Sequence, residues 1–554
     1  MNIEPKKTRK RTFKGLIALL LAVAVIGPAA KIGDDFFEIS KNLEIFSDLY
    51  KNINLYYADD TKPGDLMKTG IDAMLESLDP YTTYIPESRM EDYRFMTTGQ
   101  YGGIGSLIRT MDDGIYISEP YQGFPAEKAG LMSGDKILKV DGKSILDKDQ
   151  EEVSEFLKGS PGSTVKIEVA RQGEGVKEFS IKREEIKIPD VPFKGMIDTQ
   201  TGYIKLNGFT QTASKEVRDA FKELEGQGMT QLVLDLRGNG GGLLREAVNI
   251  VNFFVPRGTD IVSTRGNIEE WDKTHKGLNE PLSVDIPMVV LIDEGSASAS
   301  EIVSGTLQDL DRAVIVGQQS FGKGLVQQTK DIAYGSKLKL TVAKYYTPSG
   351  RCIQKLDYFH KTDIGGVEVM PDSLVKEFRT KNNRPVFDGR GIEPDIKIED
   401  ESLGKVVGAL FKGNYFFKYA TEYKKSHPEI SKAEDFSLSK DEFQAFVHWL
   451  TEKNVSYSTD TEDALDDLIN TAKDERYYDD SSSQLEGLRA ALKPDVKSDV
   501  MKYERIVKLL LESEIVSRYE FQDGRARHGL RDNPFIEEAL KSLKPEARTK
   551  ILKG

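Results

Sequence analysis

The chain has 554 residues, enough for about three to four domains at ~150 residues each. It carries 77 basic against 90 acidic residues, a net charge of −13, which argues against a nucleic-acid binder working through bulk electrostatics. With 38% hydrophobic residues it has the material for packed cores, so global disorder is excluded. A single cysteine, Cys352, rules out an internal disulfide framework and any paired-cysteine metal or redox site. The five histidines (His275, His360, His427, His448, His528) are scattered, with no metal-ligand spacing. A hydrolase built from this composition is therefore expected to use neither zinc nor histidine, and no metal or cofactor is expected.

The first segment, 1–30, reads as an export signal or signal anchor. Lys6, Lys7, Arg9, Lys10, Arg11 and Lys14 precede an apolar run from Leu16 to Ile26. Small residues follow, but Gly27-Pro28-Ala29-Ala30 offers no tidy cleavage site. The positive-inside rule leaves the basic end in the cytoplasm and everything after residue 30 outside, in the periplasm, anchored to the inner membrane if uncleaved. The −13 thus divides into +5 for residues 1–30 and −18 for the exported body.

From Ile39 to Leu78 apolar residues recur at steps of three and four (Leu43, Phe46, Leu49 and Tyr50; Leu66, Ile71, Met74, Leu75 and Leu78), so a helical region is expected until Asp79-Pro80. From about Gly99 to Arg183 short β-like runs (115–117, 136–140, 164–170, 177–181) alternate with glycine turns. Within it Gly103, Ile104 and Gly105 precede a strand, where backbone N–H groups turned inward can hold a terminal carboxylate while the strand edge accepts a peptide. A flanking helix is expected over 151–158, with Val153, Phe156 and Leu157 on one face. From Gly202 to about Ile398 strands alternate with helices. Beyond 400 the chain looks charged and helical, interrupted by the polar stretch 477–484; segments 441–450 and 503–516 read as amphipathic helices.

Three loops stand out. "LVLDLRGNGGG" (232–242) runs from an apolar strand through glycines into a helix, letting backbone N–H groups approach a ligand. "MVVLIDEGSASASE" (288–301) ends on Ser298 at a helix start. Ser298 and Glu301 form an S-x-x-E capping box, which by itself needs no chemistry. A serine at a helix N-terminus is also where free amides and the dipole stabilise an oxyanion. "GQQSFGKGLVQ" (317–327) matches most of a phosphate-binding loop, but Gly324 stands where the magnesium-binding hydroxyl belongs, and 325–332 looks extended. Lys323 instead lies among Phe321, Leu325 and Val326, surroundings that would lower its pKa and suit a general base. Serine activated by lysine is a variant of the triad logic that uses no histidine.

Together with "AEKAGLMSGDKILKVDG" (126–142), which resembles a PDZ domain, these loops resemble the carboxy-terminal processing proteases, a tail-specific serine peptidase family. "LDPYTTYIP" (78–86), "YYTPSGR" (345–351) and "GIEPDI" (391–396) complete the likeness, which spans about 40–398. The resemblance implies Ser298 as nucleophile, Lys323 as base and Gln327 as the residue orienting the lysine. It implies an oxyanion hole from the amide of Ala299 and one of Gly241 or Gly242. It further implies a crotonase/ClpP-like α/β core, a spiral of β/α units rather than a doubly wound sheet, within a multidomain α+β chain. The expected division is a signal segment 1–30, an N-terminal helical region 31–98, an inserted PDZ domain 99–186, a protease core 187–399 and a C-terminal helical domain 400–554. Expected partners are protein substrates with exposed C-terminal tails, a second copy of the chain as a homodimer, and the membrane through 1–30. Gly238 and Gly240 depart from bulkier residues common in the family, which predicts a looser loop. The competing expectation is a non-catalytic PDZ adaptor that only binds tails.

Overall fold

The computed structural model describes residues 36–358, 368–399 and 403–553. Residues 1–30, expected to act as an export signal or anchor, therefore lie outside the described residues. Among those described, no helix is long and apolar enough to cross a membrane.

The chain divides at residue 84 into two compact units. In the first, the expected helical stretch is two helices, 36–56 and Pro63–Glu76. The break has a local cause: Pro63 lacks an N–H and opens the second helix at its first position, where none is needed. After it, Asp79 accepts the N–H groups of Tyr81 and Thr82 through Oδ1, closing a turn.

The second unit begins with the helix Met90–Thr98, which ends on Gly99 in the left-handed conformation. The small β domain follows. Its sheet runs Ser106–Met111, Gly114–Pro120, Lys136–Val140, Thr164–Arg171 and Gly175–Lys182, all antiparallel. Alternate residues such as Ile115, Ile117, Ile137, Val165, Ile167 and Val169 point to one core. The helix Gln150–Leu157 is held by a capping box, with Asp149 accepting from Glu152 N–H and Glu152 from Asp149 N–H. It buries Val153 and Leu157 against that core.

The α/β region is built on one sheet in sequential order: Phe193–Met196, Thr201–Lys205, Gln231–Asp235, Met288–Ile292, Val314–Gly317 and Ile396–Lys397. Only the first pair is antiparallel. The crossover helices Ala213–Gly226, Leu244–Asn252 and Ala299–Asp309 share one cluster with Leu232, Leu234, Met288, Val290, Ile292 and Ile315. Strands in sequence order with every crossover on one face make a singly wound sheet, as the spiral expectation requires. The other face, carrying Val233, Val289, Leu291, Val314 and Val316, is covered by Ile536, Ala539 and Leu543 from the end of the chain. A second, antiparallel sheet joins Leu325–Asp331, Lys337–Tyr346, Asp260–Gly266 and Lys273–Lys276.

Beyond residue 403 the helices Lys405–Lys412, Tyr415–Ser426, Lys440–Glu452, Val496–Lys502 and Glu504–His528 bury their own core. The polar stretch 477–484 is not an interruption. It opens the helix Tyr478–Leu492, which buries none of its residues. Polarity there marks a solvated helix rather than a break, stabilised by the Arg489–Asp466 ion pair and a Tyr478–Glu486 hydrogen bond. The long helix Glu504–His528 is kinked at Glu520 and Phe521, whose φ is 54°. It also meets the small β domain, where Arg525 pairs with the buried Glu119 at 3.2 Å, and the helix Tyr415–Ser426 does so through Phe417, whose ring lies under Arg109 at 4.9 Å.

Candidate active site

Ser298 sits at the sharp turn between the strand Met288–Ile292 and the helix Ala299–Asp309. Its backbone is at φ 56°, ψ −109°, not the extended conformation of an ordinary helix cap. A non-glycine residue there is strained, and such strain persists only where the surroundings over-determine it. Three contacts do so. Ser298 N–H donates to Glu301 Oε2 at 2.7 Å, Tyr345 Oη–H donates to Ser298 O at 3.0 Å, and Ile302 N–H closes the first helical turn on Ser298 O. The turn leaves Ser298 half-exposed at the start of the helix.

Glu301 does more than cap. It is fully buried, and its carboxylate spans two loops. Oε2 accepts Ser298 N–H (2.7 Å) and Lys323 N–H (2.9 Å), while Oε1 accepts Ser320 Oγ–H (2.6 Å) and Gly322 N–H (2.7 Å). Burial pushes its pKa above the usual carboxylate range, opposed by these four donors. One oxygen thus holds the Ser298 and Lys323 amides within two hydrogen-bond lengths of each other. Tyr345 adds a second tie, since its own N–H donates to Gly324 O at 2.9 Å.

Lys323 is half-buried. Of its expected apolar neighbours, Leu325 is buried, Val326 half-buried and Phe321 exposed. The stretch expected to be extended forms the strand Leu325–Asp331, on which Gln327 is half-buried. Gln327 Nε2 donates to Thr341 Oγ1 at 3.2 Å.

The glycine loop 236–242 lies against this turn. At Gly241, φ is +100°, and a Cβ would stand 2.7 Å from Ala297 O and 2.9 Å from both Ala299 N and Ser298 Cβ. Only glycine permits that approach. Gly241 N–H is already donated to Asn239 Oδ1 at 2.9 Å. Gly242, one peptide further, packs on Phe209. In place of a loose loop, Gly238 N–H donates to Asp293 Oδ1 and Asn239 Nδ2 to Leu206 O, while Asn239 O accepts Ala297 N–H and Ser300 Oγ–H. Asn239, Glu301 and Tyr345 are the residues that sequence reasoning did not single out for this role. Their only signals were a lone amide among glycines, a cap residue and a tyrosine in a turn motif.

Under the loop, Asp235 is wholly buried. It accepts Tyr203 Oη–H at 2.6 Å and Arg237 Nη2–H at 2.6 Å, with Lys205 Nζ at 3.3 Å. Burial opposes its ionisation, yet the Arg237 and Lys205 charges bring its pKa down to about 2. Burial likewise pulls the Lys205 ammonium below its ordinary range.

The sequence-predicted carboxylate loop lies far along the chain from these groups, in the small β domain. Gly103 and Ile104 are buried, and Gly105 is at φ +72° with a Cβ position 2.5 Å from Phe124. The outer edge of the strand Ser106–Met111 and the helix Gln150–Leu157 flank a groove of about 650 Å³, lined by Tyr101, Ile104, Leu107, Ile108 and Leu157 with Lys158 at its rim.

Two outcomes follow from these bonds. Replacing Glu301 by Gln turns one acceptor oxygen into a donor facing N–H groups. Each donor left unpaired costs about 1–3 kcal/mol. Hydrogen exchange at the Ser298 and Lys323 amides of Glu301→Gln is expected to speed up at least tenfold, while the core strand Met288–Ile292 stays protected. For Asp235 the folded pKa is depressed below its unfolded value of 3.8. Its contribution is therefore present above that value and is lost as pH falls toward 2. Urea midpoints should drop over that window in wild type and show a weaker drop in Asp235→Asn.

Comparison with known proteins matches this architecture. Peptidase family S41 matches residues 200–372, a PDZ domain 116–171, and the C-terminal helical domain of probable PDZ-proteases 406–543. A probable CtpA-like serine protease of Staphylococcus aureus (strain COL) is 33% identical over 462 residues, covering 83% of this chain and 90% of its own. The carboxy-terminal processing protease CtpA of Bacillus subtilis (strain 168) is 37% identical over 309 residues, 55% of this chain and 65% of that one. Among solved structures, a photosystem II D1 C-terminal processing protease is 28% identical with a TM-score of 0.35, covering 64% of this chain and 92% of that one. A strained serine turn tied to a lysine loop, and a PDZ-type groove in a separate small domain, thus sit in a chain that belongs to the carboxy-terminal processing proteases, serine proteases of peptidase family S41.

Proposed function

We propose that the protein cleaves peptide bonds with a Ser298/Lys323 dyad in substrates captured by their free C-terminal tails. The observation that carries the dyad is the single Glu301 oxygen shared by the Ser298 and Lys323 amides. It gives two loops separated in sequence one common anchor. In this reading Ser298 Oγ attacks the substrate carbonyl carbon while Lys323 Nζ takes the hydroxyl proton. The C–N bond then breaks, the proton passes from Lys323 to the leaving amine, and an acyl-enzyme remains. Water deacylates it by the reverse proton route. With Gln327 Nε2 engaged by Thr341, Oε1 is the atom that accepts from Lys323 Nζ and orients it.

The oxyanion donors in this reading are the amides of Ala299 and Gly242. Ala299 is the first helical residue, where an N–H has no partner within the helix. Gly242 is preferred to Gly241 as the second donor in this reading because Asn239 Oδ1 already accepts the Gly241 N–H. Removing one such donor ordinarily costs roughly 10²–10³ in rate.

Tail capture is supported by the groove beside the Gly103–Gly105 loop. Its lining of Ile104, Ile108 and Leu157 suits an apolar terminal side chain, and the outer edge of Ser106–Met111, which pairs with no strand among the described residues, suits strand addition. We place the reaction outside the cytoplasm because of residues 1–30, with their basic cluster and apolar run.

A peptide substrate with a free apolar C-terminus tests both parts. Ser298→Ala and Lys323→Ala are expected to lose at least 10³-fold in kcat with unchanged melting. Equal cleavage by all three proteins overturns the dyad, and an inactive but folded wild type favours the adaptor. Amidating the substrate terminus should raise KM about tenfold; an unchanged KM removes carboxylate recognition.

A further inference from the structure

The glycine loop that supplies the oxyanion donor has little side-chain mass of its own. Between Leu236 and Leu243 only Arg237 and Asn239 carry side chains. Glycine-rich backbone is entropically costly to hold in one conformation, so its position depends on what anchors its ends. The far end is bridged to Phe209. The near end is Arg237, and its anchoring is unusually complete.

Arg237 N–H donates to Asp235 Oδ1 at 2.9 Å, and its carbonyl accepts Lys205 Nζ–H at 2.5 Å. Its guanidinium forks onto the Asp235 carboxylate through Nε and Nη2. The face of that guanidinium lies 4.6 Å from the ring centroid of Phe535. Phe535 comes from the helix Pro534–Ser542, almost 300 residues away, whose Ile536 and Ala539 cover the second face of the sheet. Its N–H is held by Asn533 Oδ1 at 3.1 Å, and its ring stands 3.2 Å from where a Cβ on Gly317 would be. The ring thus packs against both the Gly317 backbone and the Arg237 guanidinium. A planar cation wedged between a carboxylate and an aromatic face cannot swing.

We infer that Phe535 and Arg237 form a positioning pair that sets the oxyanion loop, so that the C-terminal helical region contributes to turnover rather than only to stability. This rests on the proposal that Gly242 N–H is an oxyanion donor. Neither residue touches substrate in this arrangement. They act through the peptide units from Arg237 to Gly242.

The test uses the full chain and a fluorogenic peptide with a free apolar C-terminus, with kcat and KM measured separately. Phe535→Ala is expected to lower kcat about tenfold to thirtyfold and to leave KM within about twofold, because the tail groove is untouched. Arg237→Lys, which keeps the charge but loses the planar fork, should lower kcat about 100-fold, approaching the loss of one oxyanion donor. Phe535→Trp, which keeps an aromatic face, should restore at least half of kcat. Phe535→Leu keeps the apolar contact with the sheet and loses the ring face, so it decides the matter if Phe535→Ala does not fold. A folded Phe535→Leu with wild-type kcat overturns the inference, as does a loss expressed only in KM or only in melting temperature. A Ser298→Ala protein run alongside separates the two levels. If it retains activity, the underlying site assignment fails. If it is inactive while Phe535→Leu is normal, the positioning role alone fails.

Discussion

A carboxylate with no exposed surface joins the two halves of the site. Glu301 meets four donors, from Ser298, Lys323, Ser320 and Gly322, and each oxygen takes two. Such a group is costly to bury ionised unless its acceptor capacity is filled, and here it is filled by backbone and hydroxyl donors from both loops. The consequence is geometric. The helix bearing Glu301 cannot shift without moving the Lys323 loop, and the strained Ser298 backbone is held from inside its own helix. Tyr345 reinforces the same joint from the antiparallel sheet, binding Ser298 O with its hydroxyl and Gly324 O with its amide.

The sheet imposes the second constraint. A singly wound sheet puts all its crossover helices on one side and leaves an apolar face uncovered. In this chain the end of the C-terminal region covers it, through Ile536, Ala539 and Leu543. The same region reaches the small β domain through Arg525 and Glu119, where burial raises the Glu119 carboxyl above its ordinary range. One helical region therefore touches both the domain with the tail groove and the sheet beneath the serine turn. That arrangement makes it a structural partner of each, and it places Phe535 against the arginine at the start of the glycine loop.

Much of the site was legible in local pattern. The apolar runs at 232–236 and 288–292 read as strands, and they form Gln231–Asp235 and Met288–Ile292, buried on both faces. The glycine cluster after Arg237 read as a close backbone approach, and Gly241 provides one against Ser298. Other features were not legible because their partners are distant in sequence. Ser298-x-x-Glu301 looks like any capping box, and only the fold shows that Glu301 also serves Gly322 and Lys323. Asn239 reads as a turn residue, yet its side chain and carbonyl bind Leu206, Gly241, Ala297 and Ser300. The polar stretch at 477–484 misleads for the opposite reason, since an exposed helix offers no apolar period to detect.

By itself the sequence determined which residue types are present and where the chain must turn. One cysteine and scattered histidines removed disulfide and clustered-histidine chemistry, and the resemblance of the serine, lysine and glycine loops to the carboxy-terminal processing proteases pointed to a peptidase. These are local properties, set by propensity, periodicity and turn chemistry over a few residues. Tertiary structure decided everything that depends on long-range pairing: which glycine amide is already engaged, what anchors the serine and lysine loops together, and what covers the open face of the sheet. Those choices are settled by burial and by the need to pair every buried polar group. Neither condition exists until distant segments meet.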